Sequence, residues 1–170
     1  MIKGIKVMLI PNNKQNTKMF QYADAKRFAY NWALAKEQEN YKNGGKFISD
    51  NDLRKEFTQL KKLDEFKWLN NVSNNVTKQA IKDCCMSFKR FFKGQAKYPK
   101  FKSRKHDEPK FYQDNIKIQF SNTHVKFEGF SSSRKGKTSV TANDSRQALS
   151  IITNSSSSFG ARCGQKAFPI

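Results

Sequence analysis

Long apolar runs are missing from this chain. The amino-terminal stretch "MIKGIKVMLIP" holds only four apolar residues in a row before Pro11. A signal-peptide core takes about 7–15 such residues and a membrane-spanning helix about 20. Neither is expected. An anionic membrane as partner would further need a basic amphipathic face or a lipidation signal, and the amino terminus offers only that short run. Cysteine is scarce and odd in number: Cys84, Cys85 and Cys163. Two neighbours on a helix point roughly 100° apart, so they predict neither a disulfide framework nor metal pairs, and a reducing cytoplasm fits best.

Acidic residues are also few, 14 against 33 Lys and Arg, which leaves a formal charge of +19 over 170 residues. That excess is beyond what solubility requires and repels itself unless a polyanion relieves it. Nucleic acid is the expected partner. No pair of carboxylates lies in the apolar strand context that two-metal chemistry needs, so no catalytic residue, metal, cofactor or small-molecule substrate is expected. His106, Asp107 and Glu108 are metal-ligand types, but consecutive residues in an open basic loop do not preorganise a site. "GKTS" at Gly136 to Ser139 imitates the end of a phosphate-binding loop, yet the required first glycine would fall at Ser131.

What is present is periodicity. Ile5, Val7 and Leu9 alternate through a strand from Gly4 to Ile10. From about Thr17 to Asn40 the spacing of Phe20, Ala23, Tyr30 and Leu34 predicts a helix. A second, short helix starts after Ser49, with Asp52 three residues on, and carries Leu53, Phe57 and Leu60 inward. A third, about Ser73 to Phe92, gathers Val76, Ala80, Cys84, Phe88, Phe91 and Phe92 on one side and stops at Gly94. "NIKIQF" and "VKFEGF" read as a hairpin turning at Ser121 to His124. A lone hairpin is marginal, so the amino-terminal strand is expected to join it. Beyond Phe130 Ser and Thr dominate, and the chain is expected to be mostly disordered. The fold class is therefore α+β, a small antiparallel β-barrel or sheet interrupted by three helices, with a disordered carboxy-terminal tail.

Two groups of residues carry the functional reading. In "YPKFKSRK", Lys97, Lys100, Lys102, Arg104 and Lys105 are interleaved with Tyr98 and Phe101, which supplies cations for phosphates and flat faces for bases. The same rings would equally serve to anchor a loop to the core. Arg27 and Asn31 share one helix face, where either the fold's own carboxylates and carbonyls or the phosphates of a strand must satisfy them. Lys89 and Arg90, late in the third helix, complete the candidate contacts.

"RFAYNWAL" (Arg27 to Leu34), "SFKRFFKGQAKYPKFKSRK" (Ser87 to Lys105) and "NIKIQF" together resemble the amino-terminal region of TnpB (OrfB) proteins of insertion sequences. These are RNA-guided DNA nucleases related to the compact Cas12 effectors, often described as transposases with an amino-terminal helix-turn-helix domain. The resemblance covers about residues 1–130. It implies a wedge-like barrel interrupted by a helical recognition lobe at about 17–95, gripping guide RNA and target-adjacent DNA through Arg27, Asn31, Tyr98, Lys100, Phe101, Lys102 and Arg104. Full-length relatives continue into a RuvC-type nuclease and a zinc ribbon, and residues 131–170 resemble neither. The expectation is a truncated or frameshifted copy that binds nucleic acid without being an enzyme. The alternatives are a regulator competing with an intact nuclease and a stand-alone helix-turn-helix repressor, against which the long gap between the second and third helices speaks.

Overall fold

The computed structural model describes residues 4–113, 118–121, 124–130, 133–141, 149–153 and 159–163. They divide into two compact units, one drawn from residues 1–23 and 108–170, the other from 24–107. The class is α+β, with helix outweighing strand.

In the first unit, β1 (Gly4–Ile10) occupies the alternating stretch and buries Leu9 completely. It is followed by β2 (Lys110–Gln113), β3 (Gln119–Phe120), β4 (His124–Lys126), β5 (Ser133–Thr141), β6 (Leu149–Thr153) and β7 (Phe159–Cys163). All recorded pairings are antiparallel. The order β2-β6-β7-β1-β5-β4-β3 ends at β2 and β3, so the described strands do not close into the expected barrel. The hairpin is there, with Gln119 opposite Lys126 and Phe120 opposite Val125; its first half, residues 114–117, lies outside the described residues.

Among the described residues β1 reaches that hairpin through β5. Part of the segment expected to be mostly disordered is strand. Three segments beyond Phe130 are strands, and β1 lies between two of them, β5 and β7. Thr and Ser are acceptable in strands when ladder partners stand on either side, a condition that composition does not reveal. Residues 142–148, 154–158 and 164–170 lie outside the described residues.

The first unit's core is aromatic. Tyr22 packs at 4.7 Å on Phe130 and 5.2 Å on Phe111, and Phe127 meets Phe130 edge-on. Gly129 has φ +77°, and a Cβ there would approach the Tyr22 hydroxyl to 2.6 Å, so both backbone and packing require glycine.

α1 (Asn13–Lys42) begins earlier than its apolar spacing predicts. The reason is a reciprocal cap: Asn12 Oδ1 accepts from the Gln15 N–H and Gln15 Oε1 accepts from the Asn12 N–H, each at 2.9 Å, which satisfies amide donors at the helix start. Its early turns give Met19 and Tyr22 to the first unit's core; its later turns give Ala25, Ala29, Ala33 and Leu34 to the second.

α2 (Asp50–Leu60) starts as expected, with Ser49 Oγ accepting from the Asp52 N–H at 3.2 Å. α3 (Asn74–Phe92) follows the Ser73 cap and ends where Gly94 takes φ +69°. Between them residues 64–71, read as a gap, form a 3-10 helix, Asp64–Asn71, with Leu69 buried. No described helix is long and apolar enough to cross a membrane.

Cys84 and Cys85 are both buried, and neither is in a disulfide. Burial pushes both thiols up, Cys85 to about 12, so they are protonated and unreactive at neutral pH.

Glu37 is the costly residue of this core. It is 4% exposed, one oxygen accepts the Ile48 N–H at 3.4 Å and the other, Oε1, has no partner among the described residues. Burial raises its pKa, partly offset by the Ile48 bond. The folded protein therefore holds this proton more tightly than the unfolded chain. The penalty is absent below the ordinary carboxylate range near pH 4 and develops as pH rises through the raised folded value. Glu37→Gln should stabilise the protein at pH 7 by about 1 kcal/mol, the order of one ill-satisfied buried polar group, with the gain vanishing near pH 4. Denaturant midpoints at the two pH values check this, and an equal gain at both would refute it.

Candidate nucleic-acid interface

The candidate interface is built in the second unit, on the middle of α1, the end of α3 and the connector that follows. Gly94 ends α3 with its N–H on the Phe91 carbonyl (2.9 Å), and Gln95 N–H reaches the Arg90 carbonyl (2.9 Å). The chain then leaves the helix through buried Pro99 without regular secondary structure, as a residue that cannot continue a helix requires.

Tyr98 is half anchor and half exposed. Its ring meets Phe88 at 5.7 Å and Phe91 at 5.2 Å, both edge-on, and the residue stays 43% exposed. Phe101 is 53% exposed. Lys97, Lys100, Arg104 and Lys105 are exposed and form no ion pair among the described residues. Lys102 differs: its ammonium lies 3.2 Å from Asp107 and 5.6 Å from the centre of the Tyr30 ring. Asp107 also accepts the Ser103 N–H at 2.7 Å. That carboxylate closes a turn of the connector. Among the described residues no three His, Cys, Asp or Glu are grouped to hold a metal ion.

Asn31 holds the connector to α1. Its Nδ2 donates to the Lys102 carbonyl at 2.9 Å and its Oδ1 accepts the Lys102 N–H at 2.8 Å. This two-point bond fixes the backbone between the exposed cations. Arg27 pairs with Asp24 at 2.9 Å, one turn back on α1. Of the two ways these residues were expected to be satisfied, both take the fold's own groups. Lys89 is exposed and Arg90 half-buried in the last turn of α3, where cations also complement the helix dipole.

Sequence reasoning missed the rings beside Arg27. A cleft of about 480 Å³ is lined by Asp24, Arg27, Phe28, Asn31, Trp32 and Trp68. Phe28 stands 5.6 Å from Trp68, edge-on, and Trp68 remains 41% exposed. The spacing of Phe28 and Trp32 by one turn was a legible signal; Trp68 was hidden in the unrecognised 3-10 helix.

Comparison with known proteins gives these positions a context. A helix-turn-helix domain model of the OrfB/IS605 type matches residues 1–46. In this chain those residues contain one strand and the uninterrupted α1 rather than two helices. The chain is 29% identical over 124 residues to InsQ of Escherichia coli (strain K12), which carries the name of an RNA-guided DNA endonuclease; the match covers 73% of this chain and 31% of that protein. A Streptomyces pristinaespiralis protein of the same named activity is 27% identical over 103 residues, covering 61% of this chain and 26% of its own length. The chain thus spans less than a third of either relative. Its amino-terminal residues are similar to the OrfB/IS605 helix-turn-helix domain, and most of its length is similar to proteins named as RNA-guided DNA endonucleases.

Proposed function

We propose that this chain is a nucleic-acid-binding portion of a TnpB/OrfB-type transposon protein, holding guide RNA and target DNA in the cytoplasm without performing a cleavage step. In this reading residues 1–130 act as the wedge and recognition region of that family. The observation that carries it is the connector: four exposed cations with no ion pair among the described residues, beside a half-exposed ring, on a backbone clamped by Asn31. Phosphates attract such cations through counterion release, and bases stack on such rings. Asn31 and Asp107 prepay the ordering of the loop, which leaves more of the contact energy as affinity.

Phe101→Ala tests this directly. The ring's exposure makes its removal nearly neutral for stability. Loss of a stacked base should weaken single-strand binding by about 1–3 kcal/mol, roughly 5- to 150-fold, without changing the salt slope. Fluorescence anisotropy with a labelled single-stranded RNA and DNA reads both quantities, and unchanged affinity would remove the connector from the interface. Sequencing of co-purified nucleic acid addresses the guide: a defined structured RNA supports it, bulk cellular RNA counts against it. Mg²⁺-dependent cutting of the bound DNA by the purified chain would overturn the non-catalytic part.

A further inference from the structure

A second basic site lies away from the connector. A cleft of about 650 Å³ is bounded by α2, the 3-10 helix and α3, and its lining includes Arg54, Lys61, Lys62, Lys67 and Lys78 but no Asp or Glu. Two of these cations are balanced outside the lining, Arg54 by Asp50 at 2.8 Å and Lys67 by Asp64. The other three have no carboxylate among the described residues. Lys61 is the unusual one, because it is only 8% exposed. Its ammonium donates to Asn74 Oδ1 at 2.8 Å and Thr77 Oγ1 at 3.4 Å, both neutral, and sits 5.4 Å from the centre of the Phe57 ring.

Taking an ammonium out of water without an anion is strongly unfavourable. The carbonyls at the end of α2, where Lys61 is the cap, offset part of it. Burial and the nearby Lys78 charge still push its pKa down. Arg54, also in the lining, is charge-paired with Asp50, but its buried Nε has no acceptor among the described residues. A buried donor without a partner marks strain or a ligand. An anion entering this cleft would meet hydrogen-bond donors and positive charge with no competing carboxylate.

We propose that this cleft binds a single phosphate group, with Lys61 as the buried donor and Lys62 and Lys78 as flanking cations. The site goes beyond the connector interface and uses none of its residues. The phosphate is either a phosphodiester of a bound strand or a free phosphate; the recognising chemistry is the same.

The test is titration of the full chain with inorganic phosphate at constant ionic strength, read by NMR of the lysine side chains. Expected are saturable shifts at Lys61 and Lys78; the Lys78 shift is lost in Lys61→Met, and the Lys61 shift is weakened at least tenfold by Lys62→Ala with Lys78→Ala. A connector variant lacking Lys97, Lys100, Arg104 and Lys105 should retain both. In phosphate-free buffer Lys61→Met should melt higher than the parent, since it removes an uncompensated buried charge. If that variant fails to fold, the exposed double variant carries the test. A linear response matching chloride, or saturation unchanged in the variants, overturns the proposal. Displacement of phosphate by a single-stranded oligonucleotide assigns the site to a strand's backbone; undisturbed phosphate binding beside bound oligonucleotide assigns it to the free ion.

Discussion

Replacing Lys97, Lys100, Arg104 and Lys105 together by alanine should flatten the dependence of log affinity on log salt by about 3 to 4, at roughly 0.9 per phosphate contact on duplex DNA. If the parent neutralises about six phosphates, its slope is roughly −5 and the variant keeps about a third of it. Extrapolated from the high-salt limit, the same change weakens binding at 0.15 M salt by about two to three orders of magnitude. Lys102 is left in place because its ammonium is committed to Asp107 and lies by the Tyr30 ring. The four targets are exposed and form no ion pair among the described residues, so the folded state should change by no more than about 0.5 kcal/mol. Binding isotherms at four or more salt concentrations measure the slope. An unaltered slope would move the phosphate contacts elsewhere on the molecule.

Phe88→Ala should produce the largest loss of stability, about 3–5 kcal/mol for truncating a buried Phe. Phe88 is 4% exposed and stands at the centre of a ring cluster: Phe47 at 6.2 Å, Phe92 at 6.1 Å and Tyr98 at 5.7 Å. Phe47 and Phe92 reach the surface, so water enters part of the resulting space and the low end of the range applies if the neighbours collapse inward. The functional effect is separate from the charge effect. Releasing the edge-on contact frees Tyr98 and with it one end of the connector, so affinity should fall while the salt slope, set by the intact cations, stays the same. Guanidinium unfolding and the same isotherms check both parts. A destabilisation under about 1 kcal/mol would contradict the described packing.

These two substitutions separate what local pattern specifies from what long-range packing specifies. The starts of α2 and α3 were legible at Ser49 and Ser73, because an N-cap acts within three residues of itself. The start of α1 was equally local and was passed over, since "NNKQ" reads as a turn until the Asn12–Gln15 reciprocity is noticed. The end of α3 followed from Gly94 alone. For the 3-10 helix there was no comparable signal: its eight residues are too short for periodicity to separate from a loop. The connector's basic and aromatic content was plain in the sequence, but not the division of labour within it. Tyr98 turned out to be half anchor, Lys102 to be engaged, and Phe101 to be exposed.

Charge, composition and the three main helices needed no structure, since each depends on residues within a few positions of one another or on a total. Strand partnership, the Asn31 clamp across 71 residues and the carboxylate-free cleft around Lys61 needed the folded chain. A ladder partner, a hydrogen-bond acceptor or a counter-ion is set by which distant segments meet in space, and nothing in the neighbouring residues records that meeting.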